Sequence, residues 1–280
     1  MKRKLRVLIV SPEVAPYAAA GPLAEAARAA MAEAAAGGAC VSLVMPRYRR
    51  PEIDALPLEI FIPELWVPLG SERIKAAVLR APLAEGEVFF IDNAKYFLRD
   101  GIYGTENNSY LDNDERFVFF SRAVVELVLK AKLAVDVIHC LDWTTALVPL
   151  FLRTHYAQKP HFKDTAVVLT LRDASAQGQF PAESMALTGL NWDYFTPAGL
   201  EQNGKFSFLK AGMIFADALT GLSPEGTEDA ALGEILKRRR DVILSTPAAG
   251  TGRIPAPGDK EALLLYEHAL LLKKGGPVGR

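Results

Sequence analysis

Three short stretches carry side chains that can do chemistry on a polar ligand. "HCLDW" supplies His139, Asp142 and Trp143, "LRDASAQGQFP" supplies Arg172, Asp173 and Gln177, and "SPE" supplies Ser11, Pro12 and Glu13. An aromatic face, an amide and a carboxylate suit a ring-shaped polyhydroxy ligand such as a sugar, whose apolar face stacks while its hydroxyls bond to the polar groups. Each residue also has a structural reading. A lone histidine before a cysteine in an apolar run reads as a satisfied core histidine, Asp142 as the cap of a helix at 144, and Trp143 as a core filler.

A fourth stretch, "VLIVSPEVAPYAAAGPLAEAARAAMAEAAAGG" (7–38), reads as a buried strand, a glycine-bearing loop and a long helix. Such a turn holds an anion when helix N–H groups, glycines and a cation converge. Residues 11–22 contain no Lys or Arg, Glu13 is acidic, and Gly21 is followed at once by Pro22, which lacks an N–H. On these residues alone the segment reads first as a tight turn with close helix packing and only second as a phosphate site.

The elements that must position these groups alternate. Apolar, β-branched runs fall at 5–10, 40–45, 87–91, 135–140, 165–171 and 216–222, with helical patterns at 23–36, 113–132, 144–157, 206–215 and 225–239. That alternation specifies an α/β fold, a Rossmann-like parallel sheet with helices on both faces. Pro57, Pro63, Pro68 and Pro82 punctuate short strands in an antiparallel excursion around 56–93. In such sheets ligands lie beyond the carboxyl ends of the strands, where the candidate residues and Ser223-Pro224 fall. Residues 246–258 are Pro/Gly-rich and read as a linker, and 259–280 as an amphipathic helix with a tail, capped at Asp259.

The chain has 280 residues, half of them hydrophobic, and a formal net charge of −1, so no broad nucleic-acid footprint is expected. The run Lys237-Arg238-Arg239-Arg240 reads as a solvated helix end. The two cysteines, Cys40 and Cys140, sit in strand patterns and read as buried thiols of a reducing compartment. The N-terminal apolar run is too short for a signal peptide and no run approaches membrane-spanning length, so a cytoplasmic protein is expected.

Eight segments, in order, resemble the N-terminal half of bacterial glycogen synthase and plant starch synthase: "VLIVSPEVAPYA", "LVMPRYR", "VFFIDNAKYFLRDGIYG", "YLDNDERFVFFSRAVVELV", "DVIHCLDWTTALVPLFLRTHY", "QGQFPAE", "FTPAGLE" and "GKFSFLKAGMIFADALTGLSPEG". The resemblance covers roughly 5–245, so residues 1–245 are expected to form one half of a GT-B fold. It implies ADP-glucose-dependent α-glucan synthesis, with the acceptor glucan along this half and the donor held mainly by a second domain. It also implies sugar contacts at Gly21, Asp112, Asn113, His139, Asp142, Trp143 and Gln177.

The departures are specific. Ala19-Ala20-Gly21-Pro22-Leu23 stands where the family has Lys-Thr-Gly-Gly-Leu, Leu141 where it has a second histidine facing the transferring glucose, and Arg172-Asp173 where it has His-Asn. The family's second-domain Arg, Lys and Glu have no counterpart in this sequence. The expected protein is therefore a non-catalytic homologue that binds α-glucan, maltooligosaccharide or a protein partner in glycogen metabolism. The alternatives are half of a transferase completed by a second chain, and a ligand-free scaffold. His139 is the sole catalytic candidate, and neither a metal nor a cofactor is expected. The helix at 260–274 is expected either to dock on its own domain through Leu263, Leu264, Tyr266, Glu267 and Leu270, or to serve self-association.

Overall fold

The central strands are apolar along their whole length, as strands covered on both faces must be. The computed structural model describes residues 3–106, 108–172, 175–221, 229–244 and 261–275. Its strands are β1 (Arg6–Val10), β2 (Cys40–Pro46), β3 (Glu59–Leu69), β4 (Glu72–Leu83), β5 (Gly86–Asp92), β6 (Val137–Leu141), β7 (Ala166–Thr170), β8 (Gln179–Phe180), β9 (Glu201–Gln202), β10 (Lys205–Ser207) and β11 (Ala218–Thr220). The helices are α1 (Leu23–Ala36), α2 (Pro51–Asp54), α3 (Ala94–Phe97), α4 (Asn113–Lys130), α5 (Leu147–Arg153), α6 (Phe208–Phe215), α7 (Ala230–Arg238) and α8 (Glu261–Lys273).

The main sheet runs β11-β7-β6-β1-β2-β5-β4-β3. It is parallel from β11 to β5, and β4 and β3 extend it antiparallel. The expected short strands at 56–83 are two long ones joined in a hairpin. Pro63 and Pro68 lie in β3, the edge strand, where a missing N–H costs no ladder bond, and Pro63 falls at a register shift. The remaining strands β8, β10 and β9 form a small antiparallel sheet.

Helix α1 buries Leu23, Ala27, Met31 and Ala34 at helical spacing, so its small side chains lie close against β1 and β2. Its first turn has no side-chain cap, and Pro22 supplies the entry. The buried α4 packs on β3 and α5. The helix expected at 144–157 is instead a 3₁₀ turn (Trp143–Thr145) followed by α5. Pro149 has no N–H to offer the Thr145 carbonyl, so the helix starts afresh at Leu147.

Three other expectations are corrected. Cys140 is buried, but Cys40, the first residue of β2 at the rim of the sheet, is exposed. Arg239 is not a solvated helix end. It donates to the carbonyls of Met213, Ile214 and Ala216, closing the end of α6. Helix α8 packs on β6, β7 and α1 through the expected Tyr266 and Leu270 and also through Leu265 and Ala269. It is apolar nearly all round rather than amphipathic, and Leu264, expected on the docking face, is exposed. The linker at 246–258, the Asp259 cap, Asp173 and Ser223-Pro224 lie outside the described residues.

Candidate functional site

The carboxyl ends of β1, β6 and β7 lie side by side, and the residues that leave them form the candidate site. Beyond β1 the chain turns on Ser11, whose hydroxyl donates to the Glu13 carbonyl at 2.6 Å. Glu13 is buried, 2% exposed. Its Oε2 accepts the N–H groups of Ala20 (2.5 Å) and Gly21 (3.1 Å), and its Oε1 accepts the Tyr103 hydroxyl at 2.7 Å. Burial, reinforced by the Glu13 carboxylate, holds the Tyr103 hydroxyl well above its usual pKa, so it stays protonated as a donor. The protein's own carboxylate thus takes the N–H pair of the loop before α1. Gly21 is exposed, and a Cβ there would meet open space.

Beyond β6, Asp142 adopts φ +56° with ψ −174°, a backbone region that residues other than glycine seldom enter. Its Oδ1 accepts the Arg172 backbone N–H at 2.8 Å, so the carboxylate ties the end of β6 to that of β7. The expected helix-cap bond from Asp142 is not made. Arg172 itself is exposed. Trp143 is half-buried among Tyr103, Phe117, Phe180 and Phe208, with ring centroids 5.1–6.3 Å away. Gly178 (φ +58°) crosses the indole so closely that a Cβ would lie 2.3 Å from it.

Gln177 belongs to an amide network. Its Nε2 donates to Asp229 (2.9 Å), and its Oε1 accepts from Gln179 (2.7 Å) and Gln202 (2.9 Å). Asp229 also caps α7 through Ala231 and Leu232. Burial alone would raise its pKa, but these donors outweigh burial and hold it low. The Gln202 Oε1 is buried without a partner.

Asp112 and Asn113 stand a layer further out. Asp112 takes both prongs of Arg99 at 2.8 and 2.5 Å, and Arg99 holds its pKa down. Asn113 donates to the Tyr103 carbonyl (2.8 Å) and accepts from Arg116 (2.6 Å). Both position the 98–111 segment that carries Tyr103, and their polar groups are already engaged.

His139 is apart from this group. Strand alternation turns it and Leu141 to one face of β6. There His139 is 4% exposed, with Nδ1 3.0 Å from the Tyr266 hydroxyl of α8 and Nε2 2.6 Å from Thr170 Oγ1. Burial lowers its pKa to about 4. The catalytic candidate is therefore a neutral core histidine beneath the C-terminal helix, and Leu141 is buried too. Sequence reasoning did not single out Tyr103, Gln202 and Asp229. Tyr103 lies within a quoted segment, whereas nothing local marks the other two, which meet only in the fold.

The Rossmann-like sheet with its polar groups gathered at the strand ends has the architecture of one half of a GT-B fold. Residues 6–235 match the family model described as starch synthase catalytic domain, and the chain belongs to that family. It is 36% identical over 244 residues to glycogen synthase 2 of Geobacter sulfurreducens, covering 85% of this chain and 50% of that protein. It is 35% identical over 262 residues to glycogen synthase of Thermodesulfovibrio yellowstonii, covering 86% and 52%. The catalytic domain of starch synthase IV from Arabidopsis thaliana, solved with ADP and acarbose, shares the fold with TM-score 0.77 and 23% identity over 87% of this chain and 51% of that one. The chain spans about half the length of these relatives and corresponds to the N-terminal half of a glycogen synthase. Among the described residues no helix is long and apolar enough to cross a membrane.

Proposed function

We propose that this chain binds α-glucan at the ends of β1, β6 and β7 and does not by itself transfer glucose from ADP-glucose. The observation that carries this reading is the loop before α1, where residues 11–22 hold no cation, Pro22 lacks an N–H and the Ala20 and Gly21 N–H groups are taken by Glu13. A leaving diphosphate needs fixed donors and cations, and each one lost costs about a hundred- to a thousandfold in rate. Here Ala20 and Gly21 give their N–H groups to Glu13, Pro22 has none, residues 11–22 hold no cation, and Leu141 replaces a histidine. A neutral sugar asks for none of these. It needs an aromatic surface and hydrogen-bonding groups: Trp143 is half-buried at the strand ends, and Asp142 and Gln177, now bonded to the Arg172 N–H and to the amide network, exchange some of those bonds for sugar hydroxyls.

The expected outcome is weak maltooligosaccharide binding by calorimetry at millimolar sugar, since a one-sided groove orders little of its ligand. No glucose enters glycogen from ADP-glucose above a heat-killed control. Enzyme-dependent incorporation overturns the non-catalytic reading, and absence of any sugar binding favours a scaffold. A second reading is a transferase half that works with a second domain. The exposed Arg172 at the end of β7 favours it, as a cation facing solvent beside the strand ends. Incorporation that appears only when the second half of a relative is added would establish it.

A further inference from the structure

We propose that Trp192 and Tyr194 form a second glucan contact, outside the cleft, that takes a segment of an α-linked glucose polymer; this rests on the glucan reading of the cleft. Among the large apolar side chains exposed in the described residues, which include Ile60, Trp66 and Leu111, Trp192 (51%) and Tyr194 (38%) are two aromatic rings two residues apart. They stand on a rigid turn. Trp192 packs edge-on against Phe195 (5.5 Å, 76°), and Tyr194 against Phe215 of α6 (6.3 Å). The Asn191 side chain accepts the Asp193 N–H at 3.1 Å, and the Tyr194 carbonyl accepts the Leu200 N–H at 3.0 Å. Behind the turn, the buried Lys210 ammonium donates to the carbonyls of Pro197 and Glu201, both at 2.6 Å.

A ligand meeting this turn finds aromatic faces already ordered, so little side-chain entropy is lost on binding. The C–H face of a glucose ring matches an aromatic surface, and the exposed Asn191 and Asp193 flank it with groups for hydroxyls. The patch is too small for a protein. Two half-exposed rings offer roughly 200 Å², against about 800 Å² per partner in a stable complex.

Its place in the fold sets what the contact is for. Helix α6 packs Phe208 against Trp143 at its start (6.2 Å) and Phe215 against Tyr194 at its end. Eight residues of helix span about 12 Å, so the two aromatic surfaces are separate. One polymer chain can nevertheless reach both, and the second contact then becomes intramolecular.

The test compares the wild type with Trp192→Ala/Tyr194→Ala by native electrophoresis through gels containing glycogen, and by calorimetry with maltotriose. The wild type is expected to be retarded, and the double variant to lose affinity for glycogen by roughly a hundredfold, the lower end of what is lost when one of two linked contacts goes. Maltotriose binding, melting temperature and near-UV circular dichroism stay unchanged, and Trp192→Phe keeps most of the retardation. Equal retardation of both proteins overturns the proposal, as does a wild type that is not retarded. A variant whose elution volume changes in the absence of glycogen also overturns it, because the surface then serves a second copy of the chain. Retardation that depends on Trp192 in a protein that ignores maltotriose overturns the cleft reading and leaves this one standing.

Discussion

Glu13 is the residue on which the site turns. In the sequence it is an acidic residue in a loop that lacks cations, a mark against phosphate. Folded, it is what closes the loop, with one oxygen on two backbone N–H groups and the other on Tyr103. The partners explain why its role was hidden: Tyr103 lies 90 residues away, and the loop donors are backbone atoms that no side-chain pattern reveals. Glu13→Ala leaves three donors without their acceptor. Each buried donor left unpaired costs about 1–3 kcal/mol, less where water can reach it. The expected loss is about 2 kcal/mol in urea denaturation, with faster proteolysis within 14–21. An unchanged midpoint would show that the carboxylate does not hold the loop.

At the scale of elements, α8 is the testable piece. Leu265, Tyr266 and Ala269 seal a face of β6 and β7, and burying an apolar side chain contributes roughly 1.5–3 kcal/mol. Truncation after Gly258 uncovers that apolar face and is expected to lower the melting temperature or cause aggregation. Tyr266→Phe, which keeps the packing and removes only the bond to His139, is expected to cost about 1–3 kcal/mol. Unaltered melting and elution of the truncated chain would reject the docking. The central strands were legible because burial on both faces writes itself as an unbroken apolar run. The β3–β4 hairpin was blurred because edge-strand prolines interrupt its alternation. Strands β8, β9 and β10, two or three residues long, are too short to show any period. The docking face of α8 was legible in Tyr266 but not in Leu264, since a helix apolar all round does not announce which side it buries.

For the whole molecule, strand β6 is the junction of the two ends of the described chain. Asp136, just before it, accepts from Arg3 (2.8 Å) and from the Arg6 side chain (2.8 and 3.1 Å) and N–H (2.9 Å). His139, within it, bonds α8. Acid therefore acts twice. Burial depresses the His139 pKa to about 4 from 6.5, so the unfolded chain binds the proton first. Stability is full above 6.5 and falls as pH drops towards 4, by up to roughly 3 kcal/mol at about 1.4 kcal/mol per pH unit. Burial would raise the Asp136 pKa, but the arginines outweigh it and set it at about 2. Its contribution is complete above the ordinary carboxylate range and is lost as pH falls through about 2. Urea midpoints measured from pH 7 to pH 2 are expected to decline in both windows. His139→Gln should flatten the upper decline and Asp136→Asn the lower one. His155, also lowered by burial, leaves a smaller decline in the same window, so a decline above pH 4 that His139→Gln does not reduce would reject the assignment.

The His139–Tyr266 bond spans 127 residues. On the ribosome, β6 emerges long before the helix that covers it. Until Lys273 has cleared the exit tunnel, one face of the growing sheet has no lid. The nascent chain must therefore carry an apolar sheet face through much of its synthesis, and the stretch between β6 and α8 is when it has most need of a chaperone.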